Sequence, residues 1–342
     1  MIRKFSCPRI PSCMRNLALA GLVVVMGLAY LAWIFWLLPC ATSSFPRQLE
    51  VPSGKSLQEI GSLLEREGVV TNAWAFVALA VLRGEAQRIR AGIYRLEAPT
   101  CALDLLDRLV NGRVELYRVT IPEGWNLAQV AEKLAAMGLV NPGTFLGRAR
   151  DPAWASELLG FEVTSLEGFL FPDTYFFPPG TTEQNILHTM VKRFQKAFAP
   201  EFNSRLLDLG WNILEAVTLA SLIEKETSAP DERPLVSGVF HKRLRMGMKL
   251  ESDPSVIYGL DNYNGSLRKS DLLVPHPYNT YVFRGLPPGP ICNPGQESIR
   301  AALFPANTDY LFFVSKKDGT HHFSRTIGEH VRAVARYQKI RP

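Results

Sequence analysis

No acidic residue precedes Glu50 in this chain. Charge of either sign is missing from Leu17 to Leu38, and the 16 residues before that run carry Arg3, Lys4, Arg9 and Arg15 unopposed. Cysteine is sparse, five in 342 residues. Cys7 and Cys13 fall in the basic tail and Cys40 just past the uncharged run, so no disulfide framework is built in; Cys101 and Cys292 could pair, but no spacing demands it. The six histidines (His188, His241, His276, His321, His322, His330) form no His-Glu-x-x-His pattern, and the cysteines fit no zinc spacing, which excludes the common metal-hydrolase designs. A Gly-x-Ser-x-Gly elbow is absent, and Cys292 lies among prolines without an evident activating histidine. Basic stripes with interleaved aromatics are also lacking. With the tail's four charges set aside, 34 basic residues face 32 acidic ones, so a nucleic-acid backbone is not an expected partner. No cofactor and no metal are expected.

What is present begins with the uncharged run itself. Its 22 residues would extend roughly 33 Å as a helix, enough to cross a bilayer core. Residues 1–16 then read as a cytoplasmic tail and 17–38 as a transmembrane helix with everything after Pro39 outside, by the positive-inside tendency. Trp33, Phe35 and Trp36 mark the outer interface. A cleaved signal peptide fits less well, because the run is too long and Pro39 stands where a small residue should precede cleavage. The same proline argues against lipidation of Cys40. The expected location is a bacterial cytoplasmic (inner) membrane, single-pass, with the bulk of the chain extracytoplasmic or periplasmic.

Beyond the run, residues 45–155 contain an internal repeat. Val51-Pro52-Ser53-Gly54-Lys55-Ser56-Leu57 aligns with Ile121-Pro122-Glu123-Gly124-Trp125-Asn126-Leu127, and Ile60, Leu64, Gly68 and Val70 find counterparts in Val130, Leu134, Gly138 and Val140. Each copy predicts strand, Pro-x-Gly turn and helix, with Ser56 and Asn126 as N-caps and Gly68 and Gly138 as C-terminal stops. Between the copies, Gly92–Leu96 predicts a strand and Leu103–Leu109 a short helix. Such a strand-helix-helix-strand unit resembles the LysM-like modules that hold glycan chains. The plainer alternative is a spacer that lifts a second domain off the membrane, and the pattern alone divides evenly between them.

After Trp154 the texture turns aromatic and proline-rich, placing a second domain at 156–342. Helices are predicted at about 182–199, 213–225, 233–245 and 327–337, with a hairpin of 310–315 and 321–324 around Asp318-Gly319. Both exported domains read as α+β. Projected as a helix, 213–227 puts Glu224 on the apolar side, in line with Ile213, Val217 and Ala220, whereas Glu215, Thr218, Lys225 and Glu226 fall on the opposite, more polar arc. Partial desolvation suits a carboxyl group to donate a proton near neutral pH. An ordinary buried ion pair at the helix end explains the same placement equally well.

Four stretches move that balance: Leu219-Ala220-Ser221-Leu222-Ile223-Glu224-Lys225-Glu226-Thr227, Glu167-Gly168-Phe169-Leu170-Phe171-Pro172-Asp173-Thr174-Tyr175, Asp253-Pro254-Ser255-Val256-Ile257-Tyr258-Gly259 and Gly285-Leu286-Pro287-Pro288-Gly289-Pro290-Ile291. With Tyr263-Asn264-Gly265, Tyr278-Asn279-Thr280-Tyr281 and Asn293-Pro294-Gly295, they resemble the endolytic peptidoglycan (murein) transglycosylase family, called MltG or YceG-like, in order and over nearly the whole exported chain. The resemblance implies cleavage of the β-1,4 bond between N-acetylmuramic acid and N-acetylglucosamine within nascent glycan strands, without water, leaving 1,6-anhydro-muramic ends and ending strand elongation. It implies Glu224 as the catalytic residue, acting first as acid and then as base. It also implies peptidoglycan glycan strands as substrate and partnership with peptidoglycan synthases, the penicillin-binding proteins. Asp253, Tyr258, Asn264, Asn279, Tyr281 and Asn293 are candidates to bind glycan, each with loop fixing as the alternative. Glu167 and Asp173 are weaker candidates, better suited to capping or ion pairing. Cys292 departs from the small hydroxyl residue expected there. A water-using muramidase and a non-enzymatic glycan-binding scaffold remain as rival readings.

Overall fold

The computed structural model describes residues 12–33, 36, 47–112, 116–260 and 263–338. It divides into two units, one of residues 1–117 with 178–181, the other of 118–177 with 182–342. Each unit has its own hydrophobic core, and both mix helices with short two-stranded sheets, an α+β architecture.

The first unit begins with α1 (Ser12–Ala32), whose residues Leu22 to Met26 are exposed. No single helix among the described residues is long and apolar enough to cross a membrane. The span expected at 17–38 includes residues 34, 35, 37 and 38, which lie outside the described residues, as does most of the basic tail. Next come β1 (Arg47–Val51), α2 (Leu57–Arg66), α3 (Ala73–Leu82), β2 (Gly92–Leu96) and α4 (Ala102–Asn111). Strands β1 and β2 pair antiparallel with Leu49 opposite Tyr94. Ser56 and Glu59 form a reciprocal capping box at the start of α2, satisfying two otherwise orphaned N–H groups. Gly61 lets α3 approach α2: a methyl group there would lie 3.0 Å from Val77 Cγ2 and 3.1 Å from the Ala73 carbonyl.

The second unit opens with β3 (Tyr117–Thr120), then α5 (Leu127–Ala136), α6 (Pro142–Ala149), α7 (Pro152–Leu159), β4 (Thr174–Phe177), α8 (Glu183–Ala197) and α9 (Pro200–Leu209). It continues through α10 (Ile213–Glu226), α11 (Arg233–Arg245), α12 (Asp253–Tyr258), α13 (Gln296–Leu303), the hairpin β5 (Phe312–Ser315) and β6 (His321–Ser324), and α14 (Ile327–Tyr337). Strand β3 pairs with β4 across the unit, and β5 pairs antiparallel with β6.

Local geometry repeats as the sequence does. Asn126 and Gln129 form the second capping box, Gly54 and Gly124 share φ near 78°, and Gly68 and Gly138 end their helices at φ of 65° and 71°. The packing does not repeat. Leu127, Val130, Ala131 and Leu134 of α5 belong to the core built around Phe169, Met190 and Leu219, so the second copy is part of the second unit. The domain border expected at 155/156 falls inside α7 of that unit.

Helix α10 runs through the middle of this unit against α11, α12 and α13. Every residue from Ala216 to Ile223 is buried, so the middle of the helix has no solvent arc, and Lys225 near its end is exposed as the sequence projection expects. Two of the projection's polar-arc residues are corrected: Thr218 is 1% exposed and bonds the Leu214 carbonyl, and Glu226 is half-buried, accepting a bond from Ser252. A helix covered on all sides carries too little amphipathic signal to sort its polar residues.

Candidate active site

Glu224 lies two residues before the end of α10, where the helix dipole disfavours an acid. Other groups hold it there. Its side chain is 7% exposed, with Arg233 Nη2 3.5 Å from one oxygen and the Gly295 backbone N–H donating to the other at 3.0 Å. Arg233 comes from the first residue of α11 and Gly295 caps α13, so three helix ends meet at one carboxylate.

A second carboxylate shares the guanidinium: Glu123 Oε2 is 3.7 Å from Arg233 Nη2. Burial, and then the negative charge of Glu224, push the Glu123 carboxyl above its ordinary pKa, with Arg233 opposing. Glu123 occupies the Pro-x-Gly turn of the second repeat copy, and Glu224 Cγ lies 3.7 Å from where a methyl group on Gly124 would sit. The Lys225 ammonium donates to the Gly124 carbonyl at 3.3 Å. Arg233 Nε is buried without a partner.

Beside this cluster opens a cleft of about 780 Å³ whose wall includes Gly124, Arg150, Glu167, Lys225, Tyr258 and Tyr278. Glu167 accepts the Leu127 N–H on both oxygens, at 3.1 and 3.2 Å, and the Tyr258 hydroxyl at 3.1 Å. Burial pushes its pKa up to about 7 against those donors. The Tyr258 and Tyr278 rings stand 4.8 Å apart, giving the cleft an aromatic wall of the kind that suits the apolar faces of sugar rings. Burial also raises the Tyr258 hydroxyl pKa.

The remaining sequence candidates divide by role. Asn293 is fully buried; its amide donates to the Trp125 carbonyl at 2.7 Å and accepts the Leu170 N–H at 2.9 Å, tying the turn below Glu224 to the Glu167 loop. Asn279, 1% exposed, donates to the Leu272 and Val274 carbonyls and accepts the Tyr281 N–H. Both amides fix loops. The Tyr281 hydroxyl donates to the exposed Asp253 at 2.7 Å, and exposed Asn264 accepts the Ser266 N–H at 3.4 Å. Asp173 pairs with Arg193. Cys101 and Cys292 are free, buried thiols, and burial raises the Cys292 pKa well above its usual value. Glu226 accepts a bond from Ser252 Oγ, and burial pushes it up to about 7. Among the described residues no group of His, Cys, Asp and Glu could hold a metal ion.

Sequence reasoning missed Arg233, Glu123 and Tyr278. One signal for Glu123 was present: where the copies align, the second places a charge at the position of Ser53. Arg233 gave none, because its contact with Glu224 depends on the turn between α10 and α11.

The sequence pattern of the YceG-like family matches residues 49–336. An endolytic murein transglycosylase of Bacillus subtilis (strain 168) is 31% identical over 304 residues, which cover 84% of each protein. An endolytic murein transglycosylase of Streptococcus pneumoniae serotype 2 is 29% identical over 84% of this chain but only 57% of its own length. Among solved structures, a yceG-like protein from Listeria monocytogenes superimposes with a TM-score of 0.60 at 30% identity, covering 85% of this chain and 99% of that one.

Proposed function

Because the chain belongs to the YceG-like family, we propose that it is an endolytic murein transglycosylase with Glu224 as its acid and base. The observation that carries this reading is the placement of Glu224: a carboxylate with a 7% exposed side chain, held by Arg233 and the Gly295 N–H next to an aromatic-walled cleft. Curated relatives with this name cover 84% of the chain. In the proposed reaction the Glu224 carboxyl protonates the glycosidic oxygen as the bond to the muramic C1 breaks. The resulting carboxylate takes the proton of that sugar's own 6-hydroxyl, whose oxygen closes on C1. No water enters, and the new end is a 1,6-anhydro sugar. The raised Glu123 carboxyl gives the cluster a second place for a proton.

Tyr258 and Tyr278 would stack on sugar rings, and exposed Asp253 at the start of α12, its partner Tyr281 and exposed Asn264 would meet a longer strand. Asn279 and Asn293 act by fixing the loops that carry the cleft. The uncharged run at 17–38 would anchor the chain in the cytoplasmic membrane with the enzyme outside. The first unit's β1-α2-α3-β2 arrangement supports a LysM-like module that either docks glycan or acts as spacer, and glycan synthases are the expected protein partners.

The test is mass spectrometry of purified peptidoglycan digested by the full chain and by Glu224→Gln. We expect anhydro ends, about 18 Da lighter than hydrolysed ones by loss of one water, with a rate lowered about 100-fold or more in the variant. Reducing ends would make the protein a muramidase, and no cleavage by either would favour a glycan-binding scaffold. A second reading rests on Glu167, which lines the cleft with a pKa near 7, the range of a working general acid. Its oxygens are already occupied by Leu127 and Tyr258. Full loss in Glu167→Gln with activity retained in Glu224→Gln would establish it instead.

A further inference from the structure

Helix α3 of the first unit, Ala73-Trp74-Ala75-Phe76-Val77-Ala78-Leu79-Ala80-Val81-Leu82, contains no charged, amide or hydroxyl side chain. Phe76, Leu79 and Ala80 face the core, and Ala73 and Val77 face Gly61 of α2. On the side opposite the core, Trp74 is 79% exposed, Val81 58% and Leu82 73%. With Ala78 these fall at i, i+4, i+7 and i+8, a single stripe along the helix. Isolated exposed apolar residues are common on protein surfaces, but a continuous stripe with a tryptophan in it marks a surface built to be covered.

Two neighbouring features indicate what covers it. Trp36, near the end of the uncharged run, donates its indole N–H to the Ala75 carbonyl at 3.1 Å and packs on the same core as α3. Trp36 of the apolar run is thus held at the first turn of this helix. Past the other end, residues 83–91 carry Arg83, Arg88 and Arg90 against Glu85. Glu85 is buried, and Arg83 is engaged by Glu85 and Asp107, while Arg88 and Arg90 are exposed. An apolar face bracketed by tryptophan and arginine is the composition of a helix lying in a membrane interface, and exposed arginines beside it favour anionic headgroups. A sugar ligand is disfavoured, because the stripe's one hydrogen-bonding group is the Trp74 indole N–H, a donor with no acceptor beside it on the stripe.

We propose that α3 lies in the headgroup–acyl boundary of an anionic phospholipid bilayer, with Trp74, Ala78, Val81 and Leu82 as the inserted face. The proposal rests on reading 17–38 as the membrane anchor; it makes the first unit a second, peripheral contact with the same membrane.

The experiment uses the full chain in vesicles of phosphatidylcholine and phosphatidylglycerol containing a trace of phospholipid with a diazirine near the headgroup end of its acyl chain. After irradiation, adducts are mapped by mass spectrometry. We expect adducts on 74–82 as well as on 17–38, and none on Leu207, which is 84% exposed on the second unit and controls for apolar exposure alone. Replacing Trp74 and Leu82 by serine should lower labelling of 73–82 about fivefold or more and leave 17–38 unchanged. Vesicles of phosphatidylcholine alone should label 74–82 less; equal labelling would overturn the part assigned to Arg88 and Arg90. Adducts on 17–38 with none on 74–82 would overturn the proposal while the anchor stands. Adducts on neither segment would overturn both.

Discussion

Glu123, Glu224, Arg233 and Gly295 form a closed arrangement in which the glycine is as demanding as the charges. A methyl group on Gly295 would sit 1.9 Å from Glu123 Oε1, so Gly295→Ala must push the Glu123 carboxylate away from Arg233 while the backbone N–H to Glu224 stays. We expect the substitution to slow glycan cleavage, and Glu123→Ala in the same chain to remove most of the added defect. Rates of the two single variants and the double variant check this, and simple additivity would show that the two residues do not meet. Glu167 supports a different prediction, on stability. Its folded pKa of about 7 exceeds the ordinary 4.5, so between those values the folded state holds a proton that the unfolded state has released. Its stabilisation is then complete below about pH 4.5 and is lost as pH rises through about 7. Glu167→Gln removes that titration, so the unfolding free energies of parent and variant, measured by chemical denaturation, should diverge from pH 5 to pH 8 in the variant's favour, by on the order of 2–3 kcal/mol. Parallel curves would show that Glu167 is ionised throughout. The groups with lowered pKa values, Asp173 and Glu183 among them, act in the opposite sense and at lower pH, below the range of this comparison.

At the scale of elements, capping and turn chemistry made much of the fold readable. Ser56 and Asn126 cap as their neighbours predict, the helix at 233–245 ends where the pattern ends, and Asp318-Gly319 turns the hairpin, because each is settled by residues a few positions apart. Helices α6 and α7 went unread, although both start with an Asx cap followed by proline, because each is only two turns long. For α10 the reverse holds: its extent was legible, but the faces of its middle were not, since burial on every side from Ala216 to Ile223 removes the contrast that a projection uses. Glu224 was found through its motif, whereas the contacts of Arg233 and of Glu226, bonded by Ser252, depend on segments the motif does not include. Gly168, in the motif that also supplies Glu167, shows how such contacts constrain one residue. It sits at φ 88° with Pro290 2.5 Å and Val217 3.0 Å from where a methyl group would be. Both the backbone and the space forbid a side chain, so Gly168→Ala should cost roughly 2–4 kcal/mol. Chemical denaturation measures it, and a cost below about 1 kcal/mol would mean the loop rearranges freely.

At the scale of the whole molecule, the described residues form two cores rather than one. The first is formed by residues such as Leu49, Phe76, Leu105 and Leu109, the second by residues from Val119 onward, and the repeat contributes one copy to each. Duplicated local structure has thus been put to different ends. The first copy packs with α3 and α4, and the second places Glu123 and Gly124 beside Glu224. Separate cores imply separate cooperative units, in which a lesion in one loosens only that one. Leu105 is fully buried in the first core, and Leu105→Ala should destabilise that unit by about 2–5 kcal/mol. Hydrogen exchange followed by mass spectrometry should then show faster exchange throughout α2, α3 and α4, while the amides of α10 keep their parent rates and the glycan cleavage rate is unchanged. If α10 exchanged faster in step with α4, the two cores would be unfolding as one, and the first unit would be part of what holds the catalytic cluster in place.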